Sequence, residues 1–467
     1  MFGLDPTYTA LLIFCLLLAC VFEFINGFHD TANAVATVIY TNSLKPWVAV
    51  IWSGIWNGIG VFAGGITVAM GISNLLPVEV LTDANLAHNV ALIMALLLTA
   101  IIWNLGTWYY GIPCSSSHTL VGSILGVGLA FGMIADEPSL KYVNWSKAGD
   151  IGLSLVLSPL AGFSLAIILM YILKQLVKNK AIFKEPDTND PPPFWIRAIL
   201  LITCTGVSFS HGSNDGQKGV GLIMLIMIAV VPSYFAIDHS KDLSDYRKTI
   251  AQVQTSYSRV DVKSLSKADS FEYAKINSLI NDLNVKMGDK NSFAEFNGPD
   301  QISIRKDIII IGKSTKKLLE SEDFSINAKD KKTLKSQVGD MKSITEYAPM
   351  WVIVMIALSL GLGTMVGWKR IVKTIGEKIG KQHLTYAQGA SSEIVAASTI
   401  GLSTWLGLPV STTQVLSSGI AGSMVASKGI KNLQGKTIKN IFIAWALTLP
   451  VTIVLAGGLF LLFRSIF

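Results

Sequence analysis

The 467-residue sequence predicts an all-α polytopic membrane protein. It reads as two inverted repeats with two broken helices and two re-entrant hairpins, plus one charged helical insert outside the membrane. Three observations carry this reading: how charge is divided, how many apolar runs there are, and an internal duplication. Charged residues make up 15% of the chain, against about 25% in soluble domains. Residues 237–346 hold 19 Lys/Arg and 17 Asp/Glu, while the other 357 residues hold only 33 charges. One chain therefore addresses two solvents, and a water-soluble enzyme is excluded.

The apolar runs come next. Crossing about 30 Å of hydrocarbon takes roughly 20 residues. Ten runs qualify: 8–41, 46–70, 86–110, 113–131, 149–174, 194–236, 347–367, 385–407, 409–427 and 437–463. The first has Asp5 and no Lys or Arg ahead of it, so it reads as a membrane segment, not a signal peptide. The domains follow as a first membrane repeat (1–190), the start of a second (191–236), the soluble insert (237–346) and the rest of the second repeat (347–467). Within the insert, 244–287 and 302–340 look helical and amphipathic. Its Ile308–Ser314 resembles the end of a phosphate-binding loop, but the required first Gly is Asp307. With no nucleotide motif, transport driven by ATP within this chain is not expected. Cys15, Cys20, Cys114 and Cys204 are scattered, with neither disulfide framework nor metal spacing.

The duplication rests on four motifs. Asn26-Gly27-Phe28-His29-Asp30-Thr31-Ala32-Asn33 aligns with His211-Gly212-Ser213-Asn214-Asp215-Gly216-Gln217-Lys218 when Asp30 is set on Asp215. Downstream, Gly111-Ile112-Pro113-Cys114-Ser115-Ser116-Ser117-His118 pairs with Gly407-Leu408-Pro409-Val410-Ser411-Thr412-Thr413-Gln414. The first pair of motifs is 83 residues apart and the second 194; the excess of 111 matches the 110-residue insert. Such internal repeats are the signature of a secondary transporter.

Lysine placement sets the topology. Clusters at Lys174–Lys184, Lys369–Lys381 and Lys428–Lys439 are expected to be cytoplasmic, and the loop 71–85, with Glu79 and Asp83, external. These clusters read as topology signals, so no nucleic-acid partner is expected; the lipid bilayer is. The pattern closes if 86–131 and 385–427 are re-entrant hairpins, which places both termini and the insert outside.

Chemistry concentrates in few residues. Of 14 acidic residues outside the insert, only Glu23, Asp30, Asp215 and Glu393 lie deep in apolar runs. Intramembrane carboxylates are costly and functional by default. Asp30 and Asp215 sit beside glycines where a helix would unwind and free carbonyls for a cation, so Asp30, Asn33, Asn214 and Asp215 are assigned to cation or proton coupling. Glu23 shares the Asp30 face, and His29 and His211 have the pKa range for proton handling. A structural, paired carboxylate and a satisfied core histidine are the plainer alternatives.

The Pro-x-Ser pairs suit an anion instead. A proline at a first helical turn leaves backbone N–H groups unpartnered, and with Ser115, Ser116, Ser117, His118, Ser411, Thr412, Thr413 and Gln414 they form a cradle for a tetrahedral oxyanion. Against four deep carboxylates stands one deep cation, Lys218, which either neutralises Asp215 or touches the anion. A dianion moving inward opposes about 2.3 kcal/mol per charge per 100 mV. Entry together with cations removes that obstacle.

These motifs, in order and at consistent spacing, resemble the inorganic phosphate transporter (PiT) family over nearly the whole membrane body, and its bacterial low-affinity branch most. The resemblance implies a low-affinity phosphate symporter of the bacterial inner membrane, with arsenate as an analogue. It implies proton coupling, with phosphate carried as a complex with a divalent metal; other branches use Na⁺. No resident cofactor is implied, no metal-ligand set is legible, and a homodimer is compatible with it. Gln414, where many members have His, and Lys218, where many have Asn, depart from the pattern and leave the coupling ion open. Symport of another oxyanion such as sulfate, or an anion channel or sensor, are the rival readings.

Overall fold

The computed structural model describes residues 2–81, 85–135, 138–186, 190–262, 265–324 and 326–467, without the side chains of 31–33 and 78. Asp83 and the Asn33 side chain lie outside the described residues. The described residues are almost entirely helical, with one isolated bridge (Gly380 to Leu433) in place of any strand. The chain divides into two compact units: Leu4–Ile226 with Ala348–Phe467, and Met227–Tyr347 with the chain's first residues.

The larger unit contains α1 (Pro6–Tyr40), α2 (Pro46–Ala63), α3 (Leu86–Tyr109), α4 (Ser116–Ile134), α5 (Trp145–Leu176) and most of α6 (Phe194–Val230). The smaller unit is built on α7 (Leu243–Ser258), α8 (Lys267–Met287), α9 (Gly298–Glu320) and α10 (Ala328–Lys342). The larger unit then resumes with α11 (Met350–Thr364), α12 (Tyr386–Trp405), α13 (Thr412–Lys428) and α14 (Gly435–Ile466). Among the described residues, seven helices (α1 to α6 and α14) are long and apolar enough to span a bilayer, and α11 with Lys369–Lys378, bent by 52°, is either an eighth, broken span or a re-entrant loop. This is a multi-pass membrane protein. Of the ten apolar runs, those of the expected hairpin 385–427, α12 and α13, are not among these candidates: α12 carries Gln388, Ser391, Ser392 and Glu393, and α13 is only 17 residues long. Those of the other expected hairpin, α3 and α4, are each long and apolar enough to cross.

The two broken helices are a correction. Asp30 and Asp215 lie inside helices of 35 and 37 residues that run on without interruption. The glycines serve close packing instead of unwinding. A Cβ on Gly27 would overlap the Leu360 carbonyl of α11, and one on Gly212 the Asn57 carbonyl of α2. Backbone thus presses on backbone where the sequence alone shows only flexibility.

The two hairpins, α3–α4 and α12–α13, turn in the same way. Gly111 (φ +65°) and Gly407 (φ +70°) end the first helix of each in the left-handed conformation that favours glycine. The N–H of Ile112 bonds to Thr107 O and that of Leu408 to Ser403 O, each at 2.9 Å. A short extended link follows, and Ser115 and Ser411 then cap the returning helices by accepting from the N–H groups of His118 (3.1 Å) and Gln414 (3.2 Å). Pro113 and Pro409 therefore precede the caps. They are not in a first helical turn, and part of the expected N–H cradle is taken by the serines' own hydroxyls.

In the smaller unit, Ile250, Tyr257, Ile276, Ile280, Ile304 and Ile308 form the core of a helical bundle. Arg305 is buried there, donating to the carbonyls of Ala236 (3.1 Å) and Thr345 (2.7 Å). Loss of hydration pushes its guanidinium down to about 10.

Candidate functional site

The larger unit brings both Asp helices and both hairpin tips to one buried centre. Asp30 on α1 accepts from Ser116 of the first tip at Oδ2 (2.8 Å) and from Thr413 of the second tip at Oδ1. His29 Nδ1 lies 3.3 Å from Asp30 Oδ1, and its Nε2 is anchored 3.2 Å from Thr107 Oγ1 on α3. Asp30, Asp215 and Lys218 are each no more than 2% exposed, so the centre is closed to water.

Asp215 on α6 is wired differently. Its Oδ1 takes a bond from Lys218 Nζ at 2.6 Å, while Oδ2 has no hydrogen-bond partner among the described residues. The Lys218 ammonium has three protons, and Asp215, Ser117 Oγ and the Val410 carbonyl (3.2 Å) take them all. Ser117 also donates to the Val410 carbonyl at 2.7 Å. Lys218 thus neutralises Asp215 and ties the two tips together; in this arrangement it has no N–H left for an anion.

Between the two carboxylates sits His211. Its Nδ1 is 2.8 Å from Asn57 Oδ1, an acceptor, because the Asn57 Nδ2 donates to Thr364 Oγ1 (3.1 Å). The imidazole proton is therefore on Nδ1, and a neutral ring presents a lone pair at Nε2. That atom lies 3.5 Å from Asp215 Oδ2 and 3.9 Å from Asp30 Oδ2. Asp30, His211 and Asp215 each offer one ligand atom within 4.8 Å of the others. Three acceptors facing one another call for a proton or a metal cation between them.

A second proton shortage lies on α1. Asn26 Nδ2 donates to Glu23 Oε2 (3.2 Å), and Asn26 Oδ1 faces Ser116 Oγ at 2.7 Å. Ser116 has one proton for two acceptors, Asn26 Oδ1 and Asp30 Oδ2. Flipping the Asn26 amide moves the deficit to Glu23 without removing it. The line Glu23–Asn26–Ser116–Asp30 lacks one proton while both carboxylates are ionised.

Not every expected residue joins the centre. The Asn214 amide holds the second tip, donating to Thr404 Oγ1 (3.0 Å) and Leu408 O (3.2 Å) and accepting from the Val410 N–H (3.3 Å). That makes it a positioning residue. Among the tip residues, His118 Nδ1 and Thr412 Oγ1 are buried without a hydrogen-bond partner among the described residues, as a ligand site requires. Glu393 stands apart, accepting from Thr37 and Thr203. The sequence reading did not assign Asn26, Asn57 and Thr107, which orient Glu23, His211 and His29. A lone Asn within an apolar run was the available signal for Asn57.

Helices that enclose paired carboxylates, a lysine and hydroxyl-bearing tips within a multi-pass body fit the class of membrane transport proteins. The chain belongs to the Phosphate transporter family, whose profile matches residues 26–456. It is 41% identical to the low-affinity inorganic phosphate transporter of Buchnera aphidicola subsp. Acyrthosiphon pisum (strain APS), over 98% of this chain and 97% of that one. It is 39% identical to the low-affinity inorganic phosphate transporter PitA of Escherichia coli (strain K12), with the same coverage. Among solved structures it is similar to one titled "The sodium-dependent phosphate transporter", with a TM-score of 0.56 and 19% identity, over 98% of this chain and all of that one. That likeness is one of fold.

Proposed function

We propose that the protein is a low-affinity phosphate symporter of the bacterial inner membrane, with Asp30, His211 and Asp215 as its cation-coupling centre and the two hairpin tips as its phosphate site. The observation that carries this is the set of three facing acceptors beside hydroxyls from both tips. A proton placed there would satisfy the acceptors, and it would offset the charge of an incoming phosphate. Protons are favoured over Na⁺ because His211 presents an imidazole nitrogen, a good base and a poor ligand for a hard alkali ion. Two carboxylates and an imidazole also suit a divalent cation, consistent with phosphate entering as a neutral metal complex.

The closed arrangement indicates how access would alternate. The first tip is latched to the second through Ser117 and Lys218 at the Val410 carbonyl. Parting the tips costs these bonds, about 1 kcal/mol each, and opens one face of the centre. Uptake of ³²P-phosphate into proteoliposomes, with pH and Na⁺ gradients imposed separately, tests the reading. Uptake that follows the pH gradient, competes with arsenate and ignores sulfate is expected. Dependence on Na⁺ alone would overturn proton coupling, and flux far above carrier rates would overturn symport.

A further inference from the structure

A cavity of about 370 Å³ opens in the larger unit where Lys174, Lys180 and Lys428 converge. Each lysine comes from a different segment: the last turn of α5, the short turn Lys180–Phe183, and the last turn of α13. Thr385 and Gln388, in the capping box that starts α12, are buried in its wall, and Ser427 adds a hydroxyl. No Asp or Glu is among the described lining residues. Glu185 reaches Lys428 from the rim at 3.3 Å, which leaves a local charge of +2.

The plain reading is that lysines at helix C-termini answer the helix dipole. It accounts for Lys174, which donates one proton to the Ala426 carbonyl (2.7 Å), and for Lys428. It does not account for Lys180, whose ammonium lies over the Phe183 ring at 5.7 Å, or for the cavity that all three residues line. The start of α12 brings a positive helix end to the same place. The volume falls within the range of small-ligand sites. From Thr412 at the second tip to Ser427 is about 22 Å along α13, so the pocket is separate from the Asp30–Asp215 centre.

We propose that this pocket is a second phosphoryl-anion site, its local charge of +2 attracting a phosphoryl group that carries one or two negative charges. The ligand is a phosphate group, whether free or carried as the headgroup of an anionic phospholipid.

Lysine acetylation of the full-length protein, read by mass spectrometry, tests this. In uncharged detergent the probe is inorganic phosphate, with sulfate at equal ionic strength as the control. Asp30→Asn/Asp215→Asn protein runs alongside, so that a failure of the central site cannot mimic a failure of this one. In nanodiscs the comparison is phosphatidylglycerol against phosphatidylcholine. Labelling of Lys174, Lys180 and Lys428 should fall about fivefold, with Lys369 unchanged. Lys180→Gln should weaken the protection of the other two by a similar factor. Protection by inorganic phosphate in the double variant supports a free-phosphate site; protection only by phosphatidylglycerol supports a lipid site. Protection by neither, or equal protection by sulfate, overturns the proposal.

Discussion

Asp30 and Asp215 occupy matched positions in a duplicated sequence, yet they are held in opposite ways. Asp30 is surrounded by neutral donors from both hairpin tips and faces two histidines. Asp215 has a permanent counter-ion in Lys218 and one bare oxygen turned toward His211. The cause is one difference between the repeats: Lys218 stands where the first repeat has Asn33. Duplication supplied two carboxylates, and a single lysine divided their work. One carboxylate has a lysine partner, and the other is held by hydroxyls.

The largest expected effects test that division directly. Asp30→Asn and Asp215→Asn should each reduce phosphate uptake by a hundredfold or more, which takes only about 2.7 kcal/mol of lost stabilisation. Their stabilities should separate them. Asp215→Asn strands a buried ammonium and is expected to cost about 3–5 kcal/mol, whereas Asp30→Asn leaves no unpaired charge. Thermal unfolding in detergent should therefore rank Asp215→Asn well below Asp30→Asn. Adding Lys218→Gln to Asp215→Asn should recover most of the loss. Equal stabilities for the two single variants would show that Lys218 is not committed to Asp215.

Two smaller effects sharpen the comparison. Asn214→Ala removes the amide that makes three bonds to the second hairpin. A loss of about 1–3 kcal/mol and a roughly tenfold fall in uptake are expected, with the preference for H⁺ or Na⁺ unchanged. A change in ion preference would return Asn214 to the coupling centre. Ser116→Ala removes the contested hydroxyl, so it should change the pH profile of uptake as well as its rate. A wild-type profile at a lower rate would mean that Ser116 only orients Asp30.

Much of this was legible because the signals were local. A carboxylate in an apolar run shows its cost in the sequence itself, and a capping serine acts within three residues of its position. So Asp30 and Asp215 could be singled out, whereas Ser115 and Ser411, expected as anion ligands, cap their helices through His118 and Gln414. The unbroken course of α1 and α6 was not legible. Gly27 and Gly212 read as points of unwinding because the carbonyls of Leu360 and Asn57, which require them to be glycine, belong to other helices. The bonds of Asn214 to the second hairpin were not legible for the same reason: its partners lie 190 or more residues away. A hydroxyl with two acceptors and one proton, as at Ser116, exists only in three dimensions.

The smallest expected effect contrasts the membrane ion pair with one in the other unit. Lys317 and Glu272 also meet at 2.6 Å, the same separation as Lys218 and Asp215, but the Lys317 side chain is 63% exposed. Hydrogen bonds from Lys317 and then Ser314 hold the Glu272 carboxyl below its usual range. A depressed carboxylate stabilises the fold above its unfolded pKa, and that contribution is lost as pH falls through the folded value. Solvent screening limits such a pair to about 1 kcal/mol or less. Lys317→Gln should therefore lower unfolding stability only slightly at neutral pH, and the difference from wild type should vanish under acid conditions. A loss as large as that of Asp215→Asn would mean that pair geometry, and not burial, sets the strength of these contacts.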